Sequence, residues 1–174
     1  MSLGHLVFNT KLPQIFEESK AKGAYAGKLL GIILKSRKFF GDKKINLVGF
    51  SLGTHVIKYC LKELGYSEEG KNIINNVIFL GGATTFKNRS NWFNILNKIV
   101  KGRIINCFSK KDEILKSLYS KYAGKDPIGK DKLDINDGKN GKNLVENYDF
   151  TDIELGHLEY RKSFNIILKR INSK

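Results

Sequence analysis

The chain has 174 residues, 41% of them hydrophobic and 19 aromatic. That is enough for one domain with a real core, and it excludes wholesale disorder and two domains of ordinary size. No apolar run reaches the ~20 residues of a membrane span, and no signal-peptide pattern opens the sequence. The two cysteines, Cys60 and Cys107, stand outside any CxxC or Cys/His cluster, which argues against a disulfide scaffold or a metal site and for a reducing, intracellular compartment. No residue pattern calls for a cofactor.

The net charge is +14, from 31 basic and 17 acidic residues. The basic residues run along the whole chain in pairs such as Arg37-Lys38, Lys43-Lys44, Lys110-Lys111, Arg161-Lys162 and Lys169-Arg170. With 16 Asn and 19 Ile, the composition fits a bias that fills neutral positions with Lys, Asn and Ile. An anionic membrane surface is the second reading of the charge. Nucleic acid is the last, because no zinc finger, aromatic RNA-binding motif or basic zipper accompanies it.

Residues 14–38 read as a helix, with Tyr25, Leu29, Ile32 and Ile33 in one row and lysines elsewhere. Gly23, Gly27 and Gly31 recur every fourth residue. Each costs about 1 kcal/mol in a helix interior, so three in register predict close packing against a neighbour. After Gly41-Asp42, the run Ile45–Phe50 reads as a buried parallel strand. From Leu52 the period changes to that of a helix, with Val56, Cys60, Leu61 and Leu64 on one face and Gly65 as its stop. A strand over 76–80 ends in Gly81-Gly82, a helix spans 92–100, and a third strand covers 103–108. A short helix over 113–119 precedes a polar, turn-rich stretch at 120–142, whose length predicts a functional or a mobile loop. A fourth strand over 143–150 and a final helix from Leu158 close the chain. Strands alternating with helices mean a single α/β domain over 1–174 with a mainly parallel sheet between helical layers.

Gly49-Phe50-Ser51-Leu52-Gly53 matches GxSxG. The pattern is common by chance, but here it stands where a buried strand turns into an amphipathic helix, the position of a nucleophile elbow. A turn that sharp strains the backbone of Ser51 and leaves no room for a Cβ at either flanking glycine. It also lets the Leu52 N–H, at a helix start, face an oxyanion. The plainer explanation, a serine N-cap with two turn glycines, accounts poorly for the glycines. A serine nucleophile needs a base, and the base an orienting acid, in the chain order Ser, acid, His. Asp112 follows the third strand and His157 lies in the loop after the fourth, both at carboxyl ends of strands. Glu113 and Asp126 are the alternatives for the acid, whereas Asp149, Asp152 and Glu154 stand too close to His157 in sequence. His55, one helical turn past Ser51, reads as packing or support for the site, His5 as incidental in an N-terminal tail, and Cys107 as core.

The runs Ile45–Cys60, Val77–Ala83, Arg103–Tyr119 and Gly156–Tyr160 together resemble the family of unknown function 726. This is the transmembrane and coiled-coil domain-containing protein 4-like group of the α/β-hydrolase superfamily. The resemblance spans about residues 15 to 170. It implies the α/β-hydrolase fold, a three-layer αβα architecture, with Ser51 as nucleophile, Asp112 as acid and His157 as base. It also implies membrane association through a region outside this chain. A hydrolase of this fold has several strands before its nucleophile strand, and one of their loops supplies a second oxyanion donor. Only 44 residues precede Ile45, and most of them read as one helix. The chain is therefore expected to be the C-terminal half of the fold, with its nucleophile strand at an open sheet edge available for self-association or for pairing with an upstream segment. The expected activity is hydrolysis of a carboxylic ester, lipid or thioester. The rival is a catalytically weak hydrolase-like module serving membrane trafficking or anionic membrane binding.

Overall fold

Apolar runs bounded by turn residues form four strands, β1 (Ile45–Phe50), β2 (Ile74–Leu80), β3 (Ile104–Phe108) and β4 (Val145–Asp149). They lie in that spatial order and every pairing is parallel. The computed structural model describes residues 3–36, 40–119, 126–138, 141, 143–153 and 155–173, with the backbone alone for 3–10, 12 and 118. The register sets Phe50 beside Leu80, Leu80 beside Cys107 and Cys107 beside Tyr148. The chain therefore leaves all four strands along one carboxyl edge, where functional groups of parallel sheets gather. β1 is an outer strand of the described sheet, with Val48 exposed on it.

Three helices, α1 (Leu3–Ser36), α2 (Gly53–Gly65) and α3 (Arg89–Ile99), belong to one face. Their core joins Leu34, Leu61, Leu64, Leu96 and Ile99 to Ile74, Val77 and Phe79 of the sheet. On the other face α4 (Glu159–Lys162) and α5 (Phe164–Asn172) bring Tyr160, Ile167 and Ile171 against Ile105, Cys107 and Tyr148. Helices on both sides of an all-parallel sheet form a mixed α/β architecture compatible with three layers. Cys60 and Cys107 are buried and free, and burial pushes both thiols up to about 12.

α1 starts earlier than the expected residue 14 and runs on through Pro13, so the stretch containing His5 is helical rather than a tail; the His5 side chain lies outside the described ones. The expected end at residue 38 also falls beyond the described residues. Of the three regularly spaced glycines, Gly27 and Gly31 make the close approach that their spacing predicts, whereas a Cβ on Gly23 would meet only ordinary contacts at 3.7 Å. A Cβ on Gly27 would collide with the Val56 carbonyl oxygen and stand 2.8 Å from Tyr59 Cβ, and one on Gly31 would stand 2.7 Å from Glu63 Cβ. Leu30 and Leu34 share that side and enter the core. The apolar row Tyr25, Leu29, Ile32 and Ile33 is turned outward, with Tyr25 66% exposed. Backbone contact through glycine takes the inner face, and the row that periodicity alone would send to the core is left over.

The polar stretch after residue 120 is neither free nor detached over 126–138. Ile128, Leu133 and Ile135 are core residues. The buried Asn106 amide donates to the carbonyls of Ile128 and Asp131 and to Asn147 Oδ1, all at 3.1 Å. Asn147 Oδ1 also accepts from Leu133 N–H at 2.7 Å. Three isolated apolar residues with no helical or strand period gave no local sign of this burial, which is decided by asparagines on β3 and β4.

Candidate active site

Ser51 is the first residue beyond β1, and its φ of +52° is a left-handed conformation that non-glycine residues seldom adopt. Several hydrogen bonds hold it there. Its N–H donates to Leu80 O at 3.0 Å, and its carbonyl accepts from Ala83 N–H and Thr54 N–H at 3.1 Å and from Thr54 Oγ1 at 2.6 Å. A Cβ on Gly49 would stand 2.7 Å from Ile57 Cδ1 and 2.9 Å from the Gly53 carbonyl carbon. The turn therefore demands glycine at 49. At Gly53 the expectation is corrected: a Cβ there would meet nothing within 4 Å, because that side of the first helical turn is open. Leu52 is the N-cap of α2, and among the described residues its N–H has no hydrogen-bond partner.

Asp112 follows β3 in a turn closed by its N–H to Ser109 O at 3.2 Å. The carboxylate is fully buried; Oδ1 accepts from Leu115 N–H at 3.0 Å. Its second oxygen lies 2.7 Å from His157 Nδ1, and His157 Nε2 lies 2.7 Å from Ser51 Oγ. With the ring proton on Nδ1, His157 donates to Asp112 and accepts from the serine hydroxyl. The fold thus brings Ser51, His157 and Asp112 into one hydrogen-bonded series at the carboxyl edge. Such a series can take a proton from the hydroxyl and hold the resulting imidazolium. The other carboxylates are committed elsewhere. Glu113 pairs with Lys116, Asp126 with Lys130, and Asp152 with Arg170, while Asp149 accepts from Thr151 N–H. Glu154 lies outside the described residues.

Several neighbours surround these three residues, most of them with no strong signal in the sequence. The Phe50 ring lies 5.0 Å from the His157 ring and walls one side of it. With Leu80, Tyr160, Arg161 and Phe164 it lines an apolar groove of about 210 Å³. Leu52, Ala83, Leu115 and Tyr119 belong to a small apolar cluster, reached by Phe16 of α1. Thr54 and Ala83 bind the Ser51 carbonyl as above; the only hint of the latter was the Gly-Gly turn after β2. His55 is buried, with Nδ1 3.0 Å from Thr84 Oγ1, and burial, then Lys58 and Lys20, lower its pKa to about 4. It is a neutral packing histidine beside the site. Among the described residues no group of three or more His, Cys, Asp or Glu side chains is placed to hold a metal.

Fold and site define a mixed α/β protein with a parallel sheet and a Ser–His–Asp hydrogen-bond series at its carboxyl edge. Over residues 3–174 the chain belongs to the family described as protein of unknown function (DUF726). It is 35% identical over 97% of its length to an uncharacterized membrane protein of Schizosaccharomyces pombe, and covers 20% of that protein. It is 32% identical over 88% of its length to an uncharacterized membrane protein of Caenorhabditis elegans, covering 24% of it. A relative in Saccharomyces cerevisiae, 35% identical over 84% of this chain and covered to 13%, is named probable lipase MIL1. The chain thus spans a quarter or less of each of these relatives. No solved structure matches it significantly. No helix among the described residues is long and apolar enough to cross a membrane.

Proposed function

We propose that this chain is a serine hydrolase of the α/β-hydrolase fold that cleaves acyl esters or thioesters of lipid character. The observation that carries the reading is the unbroken series from Asp112 through His157 to Ser51, with both links at 2.7 Å. In the reaction His157 Nε2 takes the Ser51 proton as Oγ attacks the acyl carbonyl. The Leu52 N–H, at the start of α2, faces the oxyanion of the tetrahedral intermediate. Collapse breaks the bond to the leaving alcohol or thiol, which receives the proton from His157. Water, deprotonated by the same ring, then releases the acid and restores Ser51. Asp112 holds the ring and its charge throughout.

The lipid preference draws on the apolar groove beside Phe50 and on exposed Ile114 and Leu158, next but one to Asp112 and next to His157 in sequence. The name of the yeast relative points the same way. The relatives named membrane proteins support membrane association through a region outside this chain. The outer position of β1 and the exposed apolar row of α1 support the reading of this chain as part of a larger hydrolase sheet. The same surfaces also support the second reading, an interaction module in which a partner or bilayer covers them.

Incubation with a fluorophosphonate probe tests the hydrolase reading. Intact mass should show one adduct, mapped to Ser51 and lost in Ser51→Ala and His157→Ala. No adduct on folded protein, or an adduct that survives Ser51→Ala, overturns it.

A further inference from the structure

A second, larger cavity of about 580 Å³ opens between α1, α2 and α3, and Ser51, Asp112 and His157 are not among its lining residues. Four lysines reach it: Lys20 from α1, Lys58 and Lys62 from α2, and Lys87 from the segment before α3. The one carboxylate among its described lining residues, Glu17, already pairs with Lys20 at 3.0 Å. Among the described residues no carboxylate lies within ion-pair distance of Lys58, Lys62 or Lys87. Lys58 is partly buried, donates to Thr85 O, and lies over the rings of Phe86 and Trp92 at 5.6 and 6.0 Å. Those contacts fix the ammonium in place without neutralising it.

A cavity holding like charges at fixed positions carries a standing electrostatic cost that an entering anion relieves. Burial, then Lys62, Lys87 and Lys20, lower the Lys58 pKa to about 8, and the same field acts on His55. The excess, four ammonium groups against one carboxylate, calls for a ligand carrying more than one negative charge. Ammonium groups approaching from three separate elements suit a tetrahedral cluster of acceptor oxygens better than a planar carboxylate. We propose that this cavity is a binding site for a dianionic phosphate group, carried by a lipid headgroup or by a free small molecule. The site is independent of the Ser51 chemistry.

The test measures binding of inorganic pyrophosphate by calorimetry. In parallel, it measures sedimentation with phosphatidylcholine vesicles carrying a minor fraction of phosphatidic acid, or of phosphatidylserine, at fixed ionic strength. The two exposed lysines are replaced in Lys62→Gln/Lys87→Gln. Lys43→Gln/Lys44→Gln removes the same charge away from the cavity, and circular dichroism checks both folds. The cavity variant, which loses two ammonium groups, should bind at least about tenfold more weakly, while the control stays near wild type. Saturable pyrophosphate binding with this pattern assigns a free phosphate. The same pattern on phosphatidic acid vesicles alone, exceeding phosphatidylserine, assigns a lipid headgroup. Absence of binding to either probe, or equal weakening by the control variant, overturns the proposal.

Discussion

The Ser51 hydroxyl and the His157 ring stand 106 residues apart in the chain and meet at 2.7 Å, across a sheet whose two outer strands precede them. The contact depends on the parallel order β1 to β4, which returns every strand to the same edge. The far side of the ring is held by Asp112, from the end of β3.

Replacing Asp112 with Asn keeps the size of the side chain and an oxygen for the Leu115 N–H, but removes the charge that favours the required tautomer of His157. Under the proposed hydrolytic reading, fluorophosphonate labelling and ester turnover should fall by about 10⁴-fold. Glu113→Gln, one residue on and exposed, should change either rate little. Near-wild-type rates in Asp112→Asn would remove Asp112 from the reaction.

The glycines of α1 should split by position. Gly27→Ala meets the Val56 carbonyl and Tyr59 Cβ, and overpacking of this kind costs about 1–3 kcal/mol. At Gly23 the added methyl would find only ordinary contacts, at 3.7 Å from His55 and Val56. Gly23→Ala should therefore gain about 0.5–1 kcal/mol from helix propensity. Urea denaturation of the two variants should move the midpoint in opposite directions; equal shifts would mean that α1 does not dock on α2 through Gly27.

His55 makes stability depend on acid. Its folded pKa of about 4 lies below the ordinary 6.5, so between those values the unfolded chain binds a proton that the folded one excludes. The contribution is fully present above about pH 6.5 and is lost as pH falls towards 4, by up to about 3 kcal/mol. His55→Asn, which retains an acceptor for Thr84, should lose less stability than wild type over that window in thermal melts. Parallel losses would show that the histidine stays protonated in the fold.

Much of this organisation is legible in local sequence because its causes act over a few residues. The change of period at Phe50–Leu52, the glycine demanded at 49, the strand–helix alternation and the close-packing signal at Gly27 and Gly31 all follow from backbone sterics and side-chain spacing. So does the candidacy of Asp112 and His157, each just past a strand. Which carboxylate meets the histidine was open among Asp112, Glu113 and Asp126, because adjacent residues differ only in direction once the turn after β3 is built. Tertiary structure alone decided that, together with the outward face of α1 and the burial of Ile128, Leu133 and Ile135. It also gathered Lys20, Lys58, Lys62 and Lys87 around one cavity. These depend on contacts between distant segments, where packing and charge are settled by what the fold brings alongside and not by the spacing of neighbours in the chain.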